Sequence, residues 1–353
     1  MDKKESFYWD LVKGIAIFLM LWGHCIQYCS QETYDVFTDC VYKTIYTFHM
    51  PVFMLVSGYL FYYSFRKREL SDLLAHRIQG MLHPIIMATI LNNFLILILI
   101  YVISDRVNFL FGSLFWGIEN DLWFLWAVLY CSLVTSVCGK LTDRHGLQLL
   151  LMILGAFAIL LVPQWNMTLF MYPYFVAGYF CGVYREKARK LYRFLRYAVW
   201  LLFPLMVEYY GSRHYIYITP MFSEELGLRP SLEIAAFRWA IGFVGSIWML
   251  SIVDILQYLG KRIALVQSCL KPVSHLGRNS LQIYCLSTSL LSGYLPHLYR
   301  KFTEVIGGDP FSGNIAVYDF VFTPVLAVAW SIFLYYVIVL MKKCKVHKLI
   351  FGR

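Results

Sequence analysis

Two ionisable side chains on the first apolar segment have the spacing and the chemistry of a reactive site. The stretch from Trp9 to Cys25, WDLVKGIAIFLMLWGHC, carries Lys13 and, eleven residues later, His24. Eleven residues of α-helix make about three turns and rise about 16 Å, so the two side chains share one face at different depths. An imidazole can take a proton from a hydroxyl or accept a transferred group, and an ammonium binds anions. Asp10 lies near the same stripe and is expected to pair with Lys13 or with a nearby arginine.

A structural explanation of these two groups stays open. Lys13 can extend its ammonium to the lipid headgroups, and His24 can hydrogen-bond a neighbouring helix. Ionisable residues inside membrane spans are costly, however, and they tend to mark pathways or active sites. The position of His24 inside the span therefore favours a functional role over a structural one.

The elements that must hold these residues are membrane helices. The chain of 353 residues is 59% hydrophobic and 15% charged, whereas soluble domains carry about 25% charged residues. A membrane span needs roughly 20 apolar residues, and about ten runs qualify. These runs are roughly 8–28, 44–63, 84–103, 122–138, 147–162, 169–184, 196–208, 234–256, 278–295 and 316–341. We predict an all-α, polytopic integral membrane protein with about ten transmembrane helices.

The basic residues predict the orientation of these helices. The net charge is +10, but Lys and Arg concentrate in alternate connections, which hold 22 of them against five in the intervening ones. The positive-inside rule then places both termini in the cytoplasm, which requires an even number of spans. This pattern argues against a nucleic-acid partner. We expect a single transmembrane domain over residues 1–353, in a cell membrane.

Further candidate residues lie on later helices. His49 is placed at the outer end of the second helix, where Pro51 suits a first helical turn, and Ser57 and Gly58 fall near mid-membrane. Ser57-Gly58 either leaves room for a substrate or allows close helix packing. Arg238, one turn into the eighth run, either binds an acceptor or an oxyanion, or forms a structural ion pair.

A carboxylate that orients the His24 ring would assist its chemistry, as in catalytic triads. Asp10 is too distant along a straight helix, so the candidates are Glu119, Asp121, Glu233 and Asp319. The nine cysteines show no metal-ligand spacing, and we expect no metal site. Cys29 and Cys40 either form a disulfide or remain free thiols.

Four motifs, in order along residues 9–288, resemble those of the membrane acyltransferase-3 family. They are the basic residue and histidine separated by ten residues (Lys13 and His24), FHMPVFMLVSGYLF, NDLWFLWAVL and LGRNSLQIYCLS. The resemblance implies about ten helices and transfer of an acyl group, usually acetyl from acetyl-CoA, to a hydroxyl of a cell-surface glycan or its lipid-linked precursor. It implies that His24 is catalytic and that Lys13 serves the acyl donor.

The expected partners follow from that chemistry. Acyl-CoA is an anionic cytoplasmic donor, with no permanently bound cofactor, and cations of the first basic loop are expected to bind its phosphates. We predict Arg66, Arg68 and Arg77 there, although plain topology determination also explains that loop. His49, Ser57 and Arg238 are predicted to bind the glycan, with Asp10 and Gly58 in supporting roles. Membrane lipids, and a second copy of the chain in a homo-oligomer, are further expected partners, and the resemblance leads us to expect a bacterial cell membrane.

The sequence departs from the family pattern at two places. Gln79 and Met81 stand where the family often has arginines, and Ser287 and Thr288 follow Ile-Tyr where many members have a histidine. The chain is also expected to end soon after its last helix, so that transfer finishes within the membrane domain. Two mechanisms stay open, in which His24 acts as a general base or carries the acyl group itself.

Two other functions compete with acyl transfer. A transporter or flippase for glycans would line its path with a polar stripe, but inverted repeats and broken helices in corresponding halves are not evident. A relative without activity could scaffold a polymer-synthesis complex, although the presence of both Lys13 and His24 counts against it.

Overall fold

The described part of the chain is helical, as the sequence predicts. The computed structural model describes residues 3–30, 35–104, 121–311 and 314–352, and within these ranges it contains helices and no strand. The helices are α1 (Lys3–Cys29), α2 (Cys40–Lys67), α3 (Leu70–Ser104), α4 (Trp123–Lys140), α5 (His145–Ile159), α6 (Trp165–Val183), α7 (Arg185–Tyr209), α8 (Leu228–Gly260), α9 (Ala264–Arg278), α10 (Ser280–Ile306), α11 (Ile315–Lys343) and α12 (Val346–Phe351).

Each of the ten apolar runs overlaps one of these helices. Within the described ranges, five helices are both long and apolar enough to cross a membrane, namely α1, α2, α4, α8 and α11. The amphipathic helix α9 and the short helix α12 lie outside the ten runs. The fold is thus that of a helical membrane protein.

The second helix begins earlier than the sequence predicts. Asp39 caps it, because its carboxylate Oδ1 accepts a hydrogen bond of 2.6 Å from the backbone N–H of Tyr42. Pro51 consequently lies inside α2 rather than in its first turn, which membrane helices tolerate. The prediction that His49 lies at the helix end is therefore wrong, and its side chain is buried well within α2.

The described residues form two compact units. The first unit takes its residues from Met1–Tyr46, His83–Leu122 and Ser268–Arg353, and the second from Thr47–Leu82 and Trp123–Gln267. In the first, α1 packs against α10 and α11. In the second, α4 packs against α5 and α6, and α7 packs against α8.

Two glycines let α1 approach α9 closely in the first unit. A Cβ at Gly14 would overlap the backbone carbonyl oxygen of Val273, and a Cβ at Gly277 would overlap that of Asp10. Both positions therefore require glycine because the two backbones are in direct contact. This contact fixes the end of α1 that carries Lys13.

The other end of α1 is held by α11. Trp22 donates its indole N–H to Thr323 Oγ1 at 3.0 Å, and Tyr318 donates its hydroxyl to the carbonyl of Ile26 at 2.7 Å. These two hydrogen bonds lie one helical turn apart on α1, on either side of His24. Tyr318 and Thr323 are the two ends of a π-helical turn, Tyr318–Phe322, which interrupts α11.

Candidate active site

His24 belongs to a triangle of polar atoms in the first unit. Its Nδ1 lies 3.3 Å from Gln27 Oε1 and 3.2 Å from the hydroxyl of Tyr46. The Tyr46 hydroxyl in turn donates to Gln27 Oε1 at 3.2 Å. All three side chains are partly buried. The hydrogen-bond contacts of the imidazole, among the described residues, thus involve one of its two nitrogens.

Aromatic rings fix the orientation of the imidazole. Tyr28 stacks on His24 with centroids 5.3 Å apart and planes 9° apart, and Tyr46 meets it edge-on at 6.3 Å. Tyr42 stacks on Tyr46 at 3.8 Å. A Cβ at Gly23 would lie 2.7 Å from the Tyr46 ring, so the glycine before His24 admits that ring. The His24 ring is therefore held by packing as well as by hydrogen bonds.

Lys13, on the same helix, belongs to a charged cluster at its other end. Its ammonium lies 3.0 Å from Asp10 Oδ1, and Asp10 Oδ2 lies 3.9 Å from Arg278 Nε. Asp10 thus contacts both a lysine and an arginine, as its spacing from Lys13 suggests. Lys342 donates a hydrogen bond to Oδ1 of Asn279 at 2.9 Å, and Asn279 directly follows Arg278 in the chain. Two cations and one anion leave the Lys13 cluster with a net positive charge.

The three arginines expected to bind donor phosphates lie in the second unit. Arg77 lies over the Phe61 ring at 4.7 Å, and Arg66 lies over the Tyr62 ring at 5.8 Å. Arg68 donates to Ser64 Oγ at 2.6 Å. Each guanidinium therefore has a contact within its own unit, and the donor role of the three stays a prediction.

The residues Ser57 and Gly58 lie where two helices meet. A Cβ at Gly58 would overlap the carbonyl oxygen of Phe175, and a Cβ at Gly178 would overlap that of Leu55. The space beside Gly58 is thus filled by the backbone of α6 and not left for a substrate. Of the two explanations, close packing holds for Gly58, while Ser57 is only partly buried.

Arg238 makes contacts that the sequence does not predict. The side chain is 2% exposed, and it donates hydrogen bonds to backbone carbonyls of the segment after α7. The acceptors are His214 (2.7 Å, from Nε) and, from Nη2, Arg213 (3.1 Å), Tyr215 (3.1 Å) and Thr219 (2.7 Å). Among the described residues, Arg238 forms no ion pair and its Nη1 makes no hydrogen bond, so the acceptor-binding role stays a prediction. Arg238 orders the loop, and carbonyl dipoles compensate its charge.

His214 lies in the same loop and is held neutral. The backbone N–H of Gly211 donates to its Nδ1 at 2.9 Å. Burial first, and then the charges of Arg213 and Arg238, lower the pKa of His214 to about 4. Protonation would place a third positive charge beside two arginines, so the folded loop requires the neutral imidazole.

Three of the four carboxylates proposed as partners of His24 lie in the described part of the chain, and each has other surroundings there. Glu119 lies outside the described residues. Glu233 pairs with the exposed Arg229 at 3.1 Å in the second unit. Burial raises the pKa of Asp121, whose side chain interacts with Asn92. Asp319 is buried beside Asp39. In the described part of the chain, the side-chain groups at Nδ1 of His24 are an amide and a phenol.

Sequence reasoning missed Gln27, Tyr46 and Asp39. A local pattern indicates the contact of Gln27, because a residue three positions after His24 lies on the same face of a helix. A local pattern also indicates the role of Asp39, because an aspartate directly before an apolar run is a typical helix cap. Tyr46 lies on another helix, and no local pattern indicates its contact with His24.

The described residues contain no group of three potential ligands placed to hold a metal ion. Cys29 and Cys40 are free thiols, so the disulfide alternative is wrong. The site therefore consists of the His24 triangle and the charged cluster around Lys13, both carried by α1.

The described residues thus combine five helices long and apolar enough to cross a membrane with a candidate reaction centre on α1. Comparison with known proteins gives the class. The acyltransferase-3 profile, described as an acyltransferase domain, matches residues 6–338. The chain belongs to the acyltransferase-3 family.

Two relatives share one name. The chain is 28% identical over 178 residues to the nodulation protein NolL of Mesorhizobium japonicum, which covers 48% of this chain and 46% of the relative. It is 30% identical over 219 residues to NolL of Sinorhizobium fredii, covering 59% of this chain and 58% of the relative. The matches thus span about half the length of these relatives. No solved structure matches the chain.

Proposed function

We propose that this membrane acyltransferase moves an acetyl group from acetyl-CoA to a hydroxyl of a cell-surface polysaccharide or its lipid-linked precursor. The family supports acyl transfer in a membrane. The identity of donor and acceptor rests on the chemistry of the residues on α1. Glycan transport, the competing function, does not require an imidazole held as firmly as that of His24.

One observation carries the proposal. Lys13 and His24 lie on one continuous helix, and each belongs to its own polar cluster. Eleven residues separate the two side chains by about 16 Å along the axis. A donor that is anionic at one end and reactive at the other, such as acyl-CoA, matches a cation and an imidazole at such a separation.

The Lys13 cluster would bind the donor. Lys13 and Arg278 share Asp10, and their side chains are partly exposed, at 22% and 52%. The phosphates of acyl-CoA would add acceptors for both cations. Arg66, Arg68 and Arg77 are proposed as further phosphate contacts.

His24 would perform the transfer. As a general base, its unprotonated nitrogen takes the proton of the acceptor hydroxyl while the hydroxyl oxygen attacks the thioester carbon. The carbon–sulfur bond then breaks, and the imidazolium returns the proton to the CoA thiolate, so that an ester and free CoA result. A covalent route, with an acyl-imidazole between two transfers, uses the same nitrogen.

The proposed topology places the reaction across a bacterial cell membrane. Ten spans with both termini in the cytoplasm would put Lys13 near the inner face and His24 in the outer half. The donor would then enter from the cytoplasm, and the glycan would be met nearer the outer face. His49 and Ser57 are proposed to contact the glycan.

Purified protein in lipid nanodiscs, supplied with radiolabelled acetyl-CoA and candidate glycans, tests the proposal. We expect labelled glycan from the wild type and none above background from His24→Ala. His297→Ala, at an exposed histidine of α10, serves as the matched control and should keep the activity. Thermal unfolding of all three proteins establishes that they are folded.

Transport is separated from transfer with the same proteins in proteoliposomes that hold glycan on one side of the membrane. A transporter would move the glycan across the membrane without attaching radiolabelled acetyl groups to it. Movement of unlabelled glycan that persists in His24→Ala, together with no ester product, would refute the proposed function.

A further inference from the structure

We infer that Gln27 and Tyr46 are positioning residues that keep the His24 proton on Nδ1 and so leave Nε2 as the reactive nitrogen. The inference rests on the proposed role of His24 in acyl transfer. It assigns to an amide and a phenol the part that a carboxylate plays in a catalytic triad.

The argument begins with what each atom of the triangle can donate. Gln27 Oε1 is an amide oxygen, which only accepts hydrogen bonds, and the Tyr46 hydroxyl donates one and accepts others. Tyr46 gives its single hydrogen to Gln27 Oε1. The remaining contact, 3.3 Å between Gln27 Oε1 and His24 Nδ1, then needs a hydrogen, and the imidazole alone can supply it.

The opposite tautomer fails in this geometry. With Nδ1 unprotonated, the three atoms would share one hydrogen, that of Tyr46. The lone pairs of Gln27 Oε1 and His24 Nδ1 would then face each other at 3.3 Å in partly buried surroundings, which is unfavourable. Protonated Nδ1 supplies a second hydrogen, which points at Gln27 Oε1 and can be shared with the Tyr46 hydroxyl oxygen as a second acceptor. A neutral imidazole carries one N–H, so Nε2 then holds the free lone pair.

The surroundings keep the triangle in place. Gln27 lies one helical turn after His24 on α1, and Tyr46 reaches the ring from α2 beside Gly23. Stacking by Tyr28 holds the imidazole plane, so the ring cannot easily turn to exchange its two nitrogens. The charged groups of the Lys13 cluster lie about 16 Å away along α1.

The inference predicts a non-additive pair of substitutions. In Gln27→Leu, the Tyr46 hydroxyl loses its acceptor and donates to Nδ1 instead, which moves the imidazole proton to Nε2. The double variant Gln27→Leu/Tyr46→Phe also lacks the Tyr46 hydroxyl. Nδ1 then has no hydrogen-bond donor in the triangle, so both tautomers of the imidazole become available. The double variant should therefore be more active than Gln27→Leu alone, whereas simple loss of packing predicts the reverse.

The tautomer is measured directly, without reference to activity. Protein with ¹⁵N-labelled histidine, in lipid at a pH of about 8, where a neutral imidazole is expected, gives distinct nitrogen resonances for the two tautomers. The nine histidines are resolved by difference from a His24→Asn sample. We expect His24 to carry its proton on Nδ1 in the wild type and in Gln27→Glu, and on Nε2 in Gln27→Leu.

Acetyl transfer provides the second readout. A wrong tautomer in a serine-protease triad lowers kcat by about 10⁴, and we expect Gln27→Leu to lose roughly a hundredfold or more. Gln27→Glu keeps an acceptor at this position and should retain transfer, with its pH profile displaced upward because a carboxylate stabilises the imidazolium. Tyr63→Phe removes a phenol of the second unit and serves as the control.

The possible results separate this inference from the proposed function. A wild-type His24 with its proton on Nε2, or a Gln27→Leu spectrum unchanged from wild type, overturns the positioning role. Where the wild type transfers acetyl, a double variant no more active than Gln27→Leu overturns it as well. A wild-type Nδ1–H tautomer that changes as expected, in a protein without acetyl transfer, refutes the proposed function and leaves the hydrogen-bond assignment intact.

Discussion

Gly277 lies against the backbone carbonyl of Asp10, so α1 and α9 are in backbone contact at the residue whose carboxylate pairs with Lys13. The side-chain cluster and the helix contact therefore depend on each other. A change that separates the two helices also displaces Asp10 and, through it, Lys13.

The first prediction concerns this contact. Gly277→Ala places a methyl group where the Asp10 carbonyl oxygen lies, and overpacking of this kind costs about 1–3 kcal/mol. We expect a lower midpoint of thermal unfolding in detergent and weaker donor binding. Gly146→Ala is the matched control, because a Cβ there meets nothing within 4 Å. Equal midpoints for Gly277→Ala and the control would contradict the close approach.

The second prediction is that removing the charge of Lys13 and removing the charge of Asp10 have opposite effects on donor affinity. Under the proposed donor-binding role, Lys13→Ala would remove a charge-assisted hydrogen bond to acetyl-CoA, worth about 1.5–3 kcal/mol, so the KM for acetyl-CoA should rise roughly tenfold or more. Asp10→Asn removes the competing anion and should leave donor affinity equal to or tighter than that of the wild type. Lys13→Arg keeps the charge as a control. A change confined to the KM for the glycan would place the donor elsewhere.

The third prediction concerns Arg238. Its guanidinium donates to four backbone carbonyls, and loss of a buried charged donor leaves these acceptors unsatisfied. Arg238→Met should lower stability by several kcal/mol, on the order of 3–5, and open residues 210–221 to proteolysis. Arg229→Ala, at an exposed pair, should change stability by less than about 0.5 kcal/mol. A variant with normal stability and a raised glycan KM would instead support acceptor binding.

The fourth prediction is a pH dependence of stability. The pKa of His214 is lowered in the fold to about 4, below its ordinary value of about 6.5. The unfolded chain therefore binds a proton at a higher pH, so stability is full above about 6.5 and declines as the pH falls towards 4. His214→Gln should flatten this decline between pH 6.5 and 4 in thermal unfolding. An identical slope in the wild type and the variant would show that other groups cause it.

Much of the fold follows from the sequence because lipid imposes a simple rule on it. Apolar runs in a bilayer become helices, and each of the ten runs overlaps one. The shared face of Lys13 and His24 follows from helix geometry alone. The start of α2 was missed because the polar cap at Asp39 outweighs the preference of Pro51 for a first turn.

The contacts between helices could not be predicted from the sequence by this rule. Gly58 admits either a ligand or another backbone, and the decision depends on where α6 lies. Arg238 in an apolar run indicates a buried charge, but its partners are carbonyls of a loop more than fifteen residues away in the chain. Tyr46 is similarly one of many tyrosines until α1 and α2 are placed side by side.

The π-helical turn in α11 sets the register between two helices. Bonds in such a turn join residues five apart, so Tyr318 and Thr323 face the same way, whereas in an α-helix they would diverge by about 140°. The extra residue of the π-helical turn thus lets α11 hydrogen-bond to α1 both before His24, at Trp22, and after it, at Ile26. Deleting Phe320, whose side chain is exposed, would restore regular α-helical winding and break one of the two hydrogen bonds to α1. The π-helical turn thus aligns His24, so the number of residues in α11 bears on the candidate active site as directly as any side chain does.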